Sequence, residues 1–323
     1  MNTTSASAQH SVILDVDTGI DDAMAVLYAL HHPDIDVRAI TCVAGNVDLP
    51  QVLDNTLALL ELAGAPQIPV AGGAEQPLIG EARSAAWIHG SDGVGGIELP
   101  RGIRSPEPVR AVELLRRTLM EAEQPLTIIT LAPMTNIALL LRSHPEVAPR
   151  IARIVTMGGS ASVGNASATA EFNVWHDPEA AHIVFTSGIP LTMYGLDVFD
   201  RIRADDAHVA ALRQDDAVQR ALAGLLSFTV TVPGSDTIVD NRRIGDAGAV
   251  IALTNPELFT FESYPVHVEL APGASRGATI VDRRPHAAED AVHGAQGAWP
   301  VLDIALQADI DAVLATFFGV FPR

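Results

Sequence analysis

The sequence predicts an α/β fold, with a mostly parallel, twisted sheet flanked by helices on both faces in a Rossmann-like layout. Three observations carry the prediction. Short apolar runs alternate with segments of helical period along nearly the whole chain. Of the 323 residues, 48% are hydrophobic, enough to bury a large core. No repeat or low-complexity linker interrupts the alternation. Alternating strands and helices pair in parallel, because each return to the same sheet edge needs a helical crossover.

In order, 11–16 (SVILDV) reads as a buried strand ending in Asp, and Ile20, Met24, Val26, Leu27 and Leu30 follow at near-helical spacing. A second strand is expected at 37–43, and a helix at 50–63 closed by Gly64. A long Gly-rich stretch, 71–104, contains HGSDGVGG at 89–96, and loops of this length are usually functional. The pattern then resumes with a helix at 108–122, a strand at 126–131 and a helix at 135–142. A strand at 153–157, a polar loop at 158–176, a helix at 177–187 and a strand at 190–195 follow. Two helices over 204–230, one over 246–254, strands at 265–270 and 277–282, and a helix near 308–319 complete the reading. Ligands of such sheets bind beyond the carboxyl ends of the strands, so 15–22, 44–46, 131–136 and 157–173 are the segments of interest.

Charge narrows the partners. There are 20 basic and 39 acidic residues, a net −19, and every basic side chain apart from histidine is arginine; no lysine occurs. An acidic chain of this kind lacks the cationic face that nucleic-acid binding needs. A single cysteine, Cys42, excludes an intrachain disulfide and a cysteine-based zinc cage. No apolar run reaches the roughly 18–20 residues of a membrane span, so no membrane partner is expected. The opening MNTTSASAQH is polar and lacks a signal-peptide pattern. A disordered tail at 1–10, one domain over 11–323 and a cytoplasmic location are the expectations.

The first strand ends in DVDTGIDD at 15–22, four aspartates in eight residues. Their repulsion is unfavourable without a bound positive charge. The dipole of the following helix favours Asp21 and Asp22 but cannot neutralise four carboxylates. A hard divalent cation held by oxygen ligands answers this; a helix cap beside a solvated acidic turn is the plainer alternative. An EF-hand loop is excluded, since its sixth and twelfth positions would be Ile20 and Val26. A haloacid-dehalogenase-type phosphatase fits poorly, with Thr18 one place early and no lysine available. A GxGxxG dinucleotide fingerprint is absent after this strand.

DVDTGIDDAMAVLYAL at 15–30 resembles the opening of the inosine–uridine preferring nucleoside hydrolase family. The resemblance continues through VAGN at 43–46, HG and DGVGG at 89–96, LAPMTNIA at 131–138 and MGGSASVGNASATAEFNVWHDPEAA at 157–181. It extends through GDAGAVIALTNPELF at 245–259 and RGATIVDRR at 276–284, so it covers essentially residues 11–320. It implies a nucleoside hydrolase fold that hydrolyses the N-glycosidic bond of ribonucleosides to ribose and free base, in purine or pyrimidine salvage. It further implies Ca²⁺ held by Asp17, Asp22, Asp246 and the Leu131 main-chain carbonyl, with Asp17 deprotonating the metal-bound water. Asp21, Asn46, Met157, Asn165, Glu171, Phe172 and Asn173 would hold the substrate. Asp15 is expected to brace the site rather than bind metal. A homodimer or homotetramer is the expected assembly. Singly, Asn165 could be a turn residue, Glu171 and Asn173 a polar face of an extended segment, and Asp246 a helix cap.

One departure bears on mechanism. Many family members carry histidine just before the third metal-binding aspartate, placed to protonate the leaving base; here that residue is Gly245. His89 is the candidate replacement, against its reading as a water-exposed loop histidine. Trp87, Phe172, Trp175 and Phe228 are candidate aromatics for stacking the base. Gly245 also keeps open a nucleoside- or ribose-binding protein that has lost catalysis, and a hydrolase of another ribosylated compound. Thr18, where the family commonly has proline, changes loop stiffness more than chemistry.

Overall fold

The apolar run SVILDV becomes the centre of the sheet, and from Val12 to Val16 its side chains are fully enclosed. The computed structural model describes residues 10–65, 67–100, 104–294 and 298–321. Its strands are β1 (His10–Val16), β2 (Ile35–Cys42), β3 (Val70–Gly72), β4 (Leu126–Thr130), β5 (Ile151–Met157), β6 (Leu191–Tyr194), β7 (Thr229–Thr231), β8 (Ile238–Asp240), β9 (Phe259–Val268), β10 (Thr279–Val281) and β11 (Val301–Ala308). Among the described residues, nine of them form one sheet in the order β10-β9-β11-β6-β5-β4-β1-β2-β3. From β3 to β11 every pairing is parallel; β9 joins β11 and β10 antiparallel at one edge. β7 and β8 make a separate two-stranded hairpin.

Two apolar layers cover the sheet. One packs Met24, Leu27 and Tyr28 of the helix Ile20–His31 against the helices Ala247–Thr254 and Ile310–Gly319. The other packs the helices Ala111–Glu121, Thr135–Ser143 and Pro178–Phe185 against the opposite face. Helix boundaries follow local chemistry. Asp48 caps Leu49–Leu62 by accepting from Gln51 N at 3.0 Å, and the chain leaves that helix through Gly64 at φ +56°. Because β1, β2, β4 and β5 run parallel, Asp17, Asn46, Leu131 and Met157, which stand at or just beyond their carboxyl ends, gather at one edge of the sheet.

Several expectations are corrected. His10 already belongs to β1; residues 1–9 of the expected tail lie outside the described residues. The Gly-rich stretch holds β3 and a short helix, Ala86–His89. The segment expected to be helical to 230 ends at Ser227 and turns into β7. β9 starts at Phe259, well before the expected 265. The sequence reading omits β11 altogether. Its residues VLDIALQA run without a break into a helix of similar composition, and only the alternation of buried Leu302, Ile304 and Leu306 marks a strand.

Candidate active site

The four aspartates of 15–22 separate into distinct tasks. Asp15 is fully buried and accepts from Thr41 Oγ1 at 2.6 Å and Asn136 Nδ2 at 2.8 Å. It ties β1 to β2 and to the helix Thr135–Ser143, and burial raises its pKa to about 7. Asp17 Oδ2 accepts from Asn46 N at 2.8 Å, while its buried Oδ1 has no hydrogen-bond partner. A side chain at position 45 would put its Cβ 2.0 Å from Asp17 Oδ2, so glycine there lets the carboxylate lie against the backbone. Asp22 Oδ2 accepts from Gly19 N and Asn46 Nδ2, both at 2.9 Å, and its Oδ1 accepts from Asp17 N at 3.2 Å. Asp21 lines the adjoining cavity, and its Oδ1 is enclosed without a partner.

Asp246 reaches the same place from the start of the helix Ala247–Thr254, where it makes no side-chain cap bond. The cap reading therefore does not account for it. Asp21, Asp22 and Asp246 each offer a carboxylate oxygen within 4.8 Å of the others. Asp17 stands beside Asp22 but outside that trio. Burial raises Asp17, Asp22 and Asp246 alike, Asp22 to about 7, and mutual repulsion adds to it. The two arginines at the cavity turn elsewhere: Arg83 to the Trp175 carbonyl and ring, Arg243 to Asp200. Three converging carboxylates, the orphaned oxygens of Asp17 and Asp21 beside them and an all-oxygen donor set fit a hard divalent cation; Asp15 Oδ2 is orphaned too, its Oδ1 taking the bonds from Thr41 and Asn136.

Further polar groups of the cavity come from the loop after β5. Expected as an extended polar face, Glu171 and Asn173 instead lie at the start of a short helix, Phe172–His176. Glu171 caps it, accepting from Asn173 N at 2.8 Å, Val174 N at 3.2 Å and Gly159 N at 2.9 Å. Burial outweighs those three donors and raises Glu171 to about 7. Asn173 Nδ2 donates to the carbonyls of Leu131 at 2.9 Å and Met157 at 3.1 Å. Asn165 Oδ1 accepts from Phe172 N at 2.9 Å, so it serves the turn as well as lining the cavity.

His89 is only 7% exposed, which overturns its reading as a solvated loop histidine. Its Nδ1 accepts from Ile20 N at 3.1 Å, so the neutral ring carries its proton on Nε2. Burial lowers its pKa, opposed by the Asp21 charge. Gly245 sits at φ +53°, and a Cβ there would stand 2.3 Å from Asp21 Cβ. Position 245 therefore faces the Asp21 side chain.

The cavity measures ≈ 420 Å³ and touches Asp21, Asn46, Leu131, Met157, Glu171 and Asp246 on its polar side. Trp87, Phe172 and Trp175 line it as expected, whereas Phe228 is absent from its lining and packs against Gly95. Phe199, Val230 and Val239 add to the apolar side, with Asn241 next to them; none was singled out as a residue, although 225–245 was expected, with 71–104, to set base specificity. Their residue types carry no chemical signal; only the turn-rich VPGSD between two β-branched runs at 228–240 hinted at a hairpin there.

A family model described as inosine-uridine preferring nucleoside hydrolase matches residues 12–315. The pyrimidine-specific ribonucleoside hydrolase RihA of Salmonella enteritidis is 42% identical over 273 residues, covering 84% of this chain and 88% of that protein. RihA of Photobacterium profundum is 42% identical over 274 residues, with the same coverage of 84% and 88%. Among solved structures, a purine-preferring ribonucleoside hydrolase from Gardnerella vaginalis superposes with TM-score 0.81 at 29% identity, covering 96% of this chain and 97% of that one. A plant nucleoside hydrolase, PpNRh1, gives TM-score 0.83 at 28% identity, covering 98% and 100%.

Proposed function

The chain belongs to the inosine–uridine preferring nucleoside hydrolase family, and from that premise we propose a calcium-dependent ribohydrolase that prefers pyrimidine nucleosides. As a member it hydrolyses the N-glycosidic bond of ribonucleosides. The name of the relatives at 42% identity supports the pyrimidine preference. The hydrolytic activity of the family argues against a binding protein that has lost catalysis. A single domain, assembled as a homodimer or homotetramer, carries the activity.

The observation that carries the mechanism is the polar floor: Asp21 lines it, Asp17 lies outside the lining but is bonded to Asn46 of the floor, and each keeps one carboxylate oxygen without a hydrogen-bond partner among the described residues. Asp17, Asp22, Asp246 and the Leu131 carbonyl would hold Ca²⁺. When bound, the ion supplies Lewis acidity toward the attacking water and orients the ribose diol. Asp17 takes a proton from that water. Asp21 accepts from ribose hydroxyls, and Asn46, Met157, Asn165, Glu171, Phe172 and Asn173 hold the rest of the sugar. The anionic floor favours the positive charge that develops on the ribose ring. His89, with its proton on Nε2, donates a hydrogen bond to the departing base.

Ribose release from a nucleoside panel tests this. Uridine should be cleaved, chelation should stop the reaction, and added Ca²⁺ should restore it. Full activity in metal-stripped protein would overturn the mechanism.

A further inference from the structure

We propose that Asn241 reads a carbonyl oxygen of the base, an inference that rests on the nucleoside reading above. Asn241 follows β8, at the foot of the hairpin. Its backbone N–H donates to Phe228 O at 3.0 Å, so its main chain is fixed without help from its side chain. The neighbouring side chains are committed: Arg242 pairs with Asp206 at 2.6 Å and Arg243 with Asp200 at 2.8 Å. Asn241 borders the cavity, and its Nδ2 is enclosed with no acceptor among the described residues. An enclosed amide donor without an acceptor is unfavourable and calls for a partner from outside the chain.

The contrast with the floor asparagines sharpens the point. Asn46 Nδ2 is taken by Asp22, and Asn173 Nδ2 by the Leu131 and Met157 carbonyls. On the side of Asn241 the cavity is lined by Val230, Val239 and Phe199, together with Arg243 and Asp200, which pair with each other, so the open surface there is largely apolar and suits a flat heterocycle better than a sugar. When the glycosidic bond breaks, its electron pair passes to the ring nitrogen and spreads onto the carbonyl oxygens of a keto base. A donor at such an oxygen binds the departing anion more tightly than the intact nucleoside, so Asn241 assists departure as well as recognition while keeping its own proton.

The test compares kcat/KM of the calcium-loaded protein, Asn241→Ala and Asn241→Ser on uridine, 2-thiouridine and 4-thiouridine. Sulfur accepts hydrogen bonds poorly, and the ratio of uridine to a thio analogue within each protein, compared between proteins, cancels leaving-group differences and the folded fraction. The native protein should favour uridine over one of the two analogues by about tenfold more than the variants do. Ratios that are the same in all three proteins, or a loss equal for all three substrates, total loss included, would overturn the role of Asn241. No ribose release by the native protein from any of them would overturn the nucleoside reading itself.

Discussion

The floor and the wall of the cavity are built by different rules. The floor stands on strand ends and helix starts of the central sheet, and its groups are held by short bonds such as Asn46 N to Asp17 Oδ2 at 2.8 Å. The wall comes from the helix Ala86–His89 and the β7–β8 hairpin, and Trp87 remains 49% exposed. In the proposed mechanism the floor holds a cation and takes a proton, which tolerates little displacement, whereas a wall that would cover a base needs only shape and a few donors. The difference predicts that floor changes act on the chemical step, and that changes to the wall's apolar side chains, unlike its donors His89 and Asn241, act on binding.

The largest expected effect is Asp17→Asn. It keeps the size of the side chain and removes the base, so kcat for ribose release should fall by about 10³-fold or more with KM little changed. A variant retaining a tenth of native kcat would remove Asp17 from the chemistry and the floor from its assigned part.

Next is pH. In metal-free protein, Asp15, Asp22 and Glu171 have folded pKa values raised to about 7. A raised acid takes up its proton in the folded state first, so its stabilising effect is lost as pH rises through about 7. For Asp15 alone the difference is about 4 kcal/mol between pH well below 4 and pH above 7. His176, behind Phe172, opposes this: burial, then the Arg83 charge, lowers it to about 4. It charges first in the unfolded chain, costing about 3 kcal/mol as pH falls from 6.5 to about 4. Thermal melting in chelator should therefore show Tm rising from pH 8 to 6.5, with Ca²⁺ stabilising most at the alkaline end, where its ligands need no deprotonation. A metal-free Tm that falls over that interval would contradict the buried-carboxylate account.

Legibility in the sequence followed the same division. The DVDTGIDD cluster, Asn46, Leu131 and Asp246, which the structure brings together, were singled out because repelling carboxylates at strand ends imply a cation and because ordered motifs carry them. The main sheet was legible from runs such as LTIIT, buried throughout. β11 was missed because Ala, Leu and Asp suit a helix as readily as a strand. Val230, Val239 and Asn241 fall in the loop 225–245 expected to set specificity, but none was singled out, because no single residue type marks a cavity wall. The Glu171–Asn173 pair was found but given the wrong local shape, since the capping bonds to backbone N–H groups decide between strand and helical turn there.

Gly245→His tests whether the edge of the floor beside Asp21 can accept a side-chain acid. At φ +53°, with a Cβ 2.3 Å from Asp21 Cβ, histidine strains the backbone and displaces Asp21. We expect kcat/KM on uridine to drop by about 10²-fold, since displacement of a positioned group by an ångström has that scale. Gly245→Ala should suffer comparably, because the clash begins at Cβ. Raised activity in the histidine variant would show that position 245 faces the base and that this edge takes part in proton transfer.

The smallest effect is expected for Trp87→Ala, and it divides floor from wall most directly. Trp87 lines the cavity yet is half exposed, so removing it leaves no buried void and unpairs no polar group. What is lost is contact area on the base, present in the bound nucleoside and in the transition state alike. Binding removed equally from both raises KM and leaves kcat unchanged. An aromatic contact of about 1 kcal/mol corresponds to a severalfold rise in KM for uridine. His89, two residues on, is tethered by Ile20 N rather than by the indole, so its Nε2 proton should stay in place. A fall in kcat at constant KM would mean that Trp87 acts on the departing base itself, and the separation of a chemical floor from a binding wall would fail.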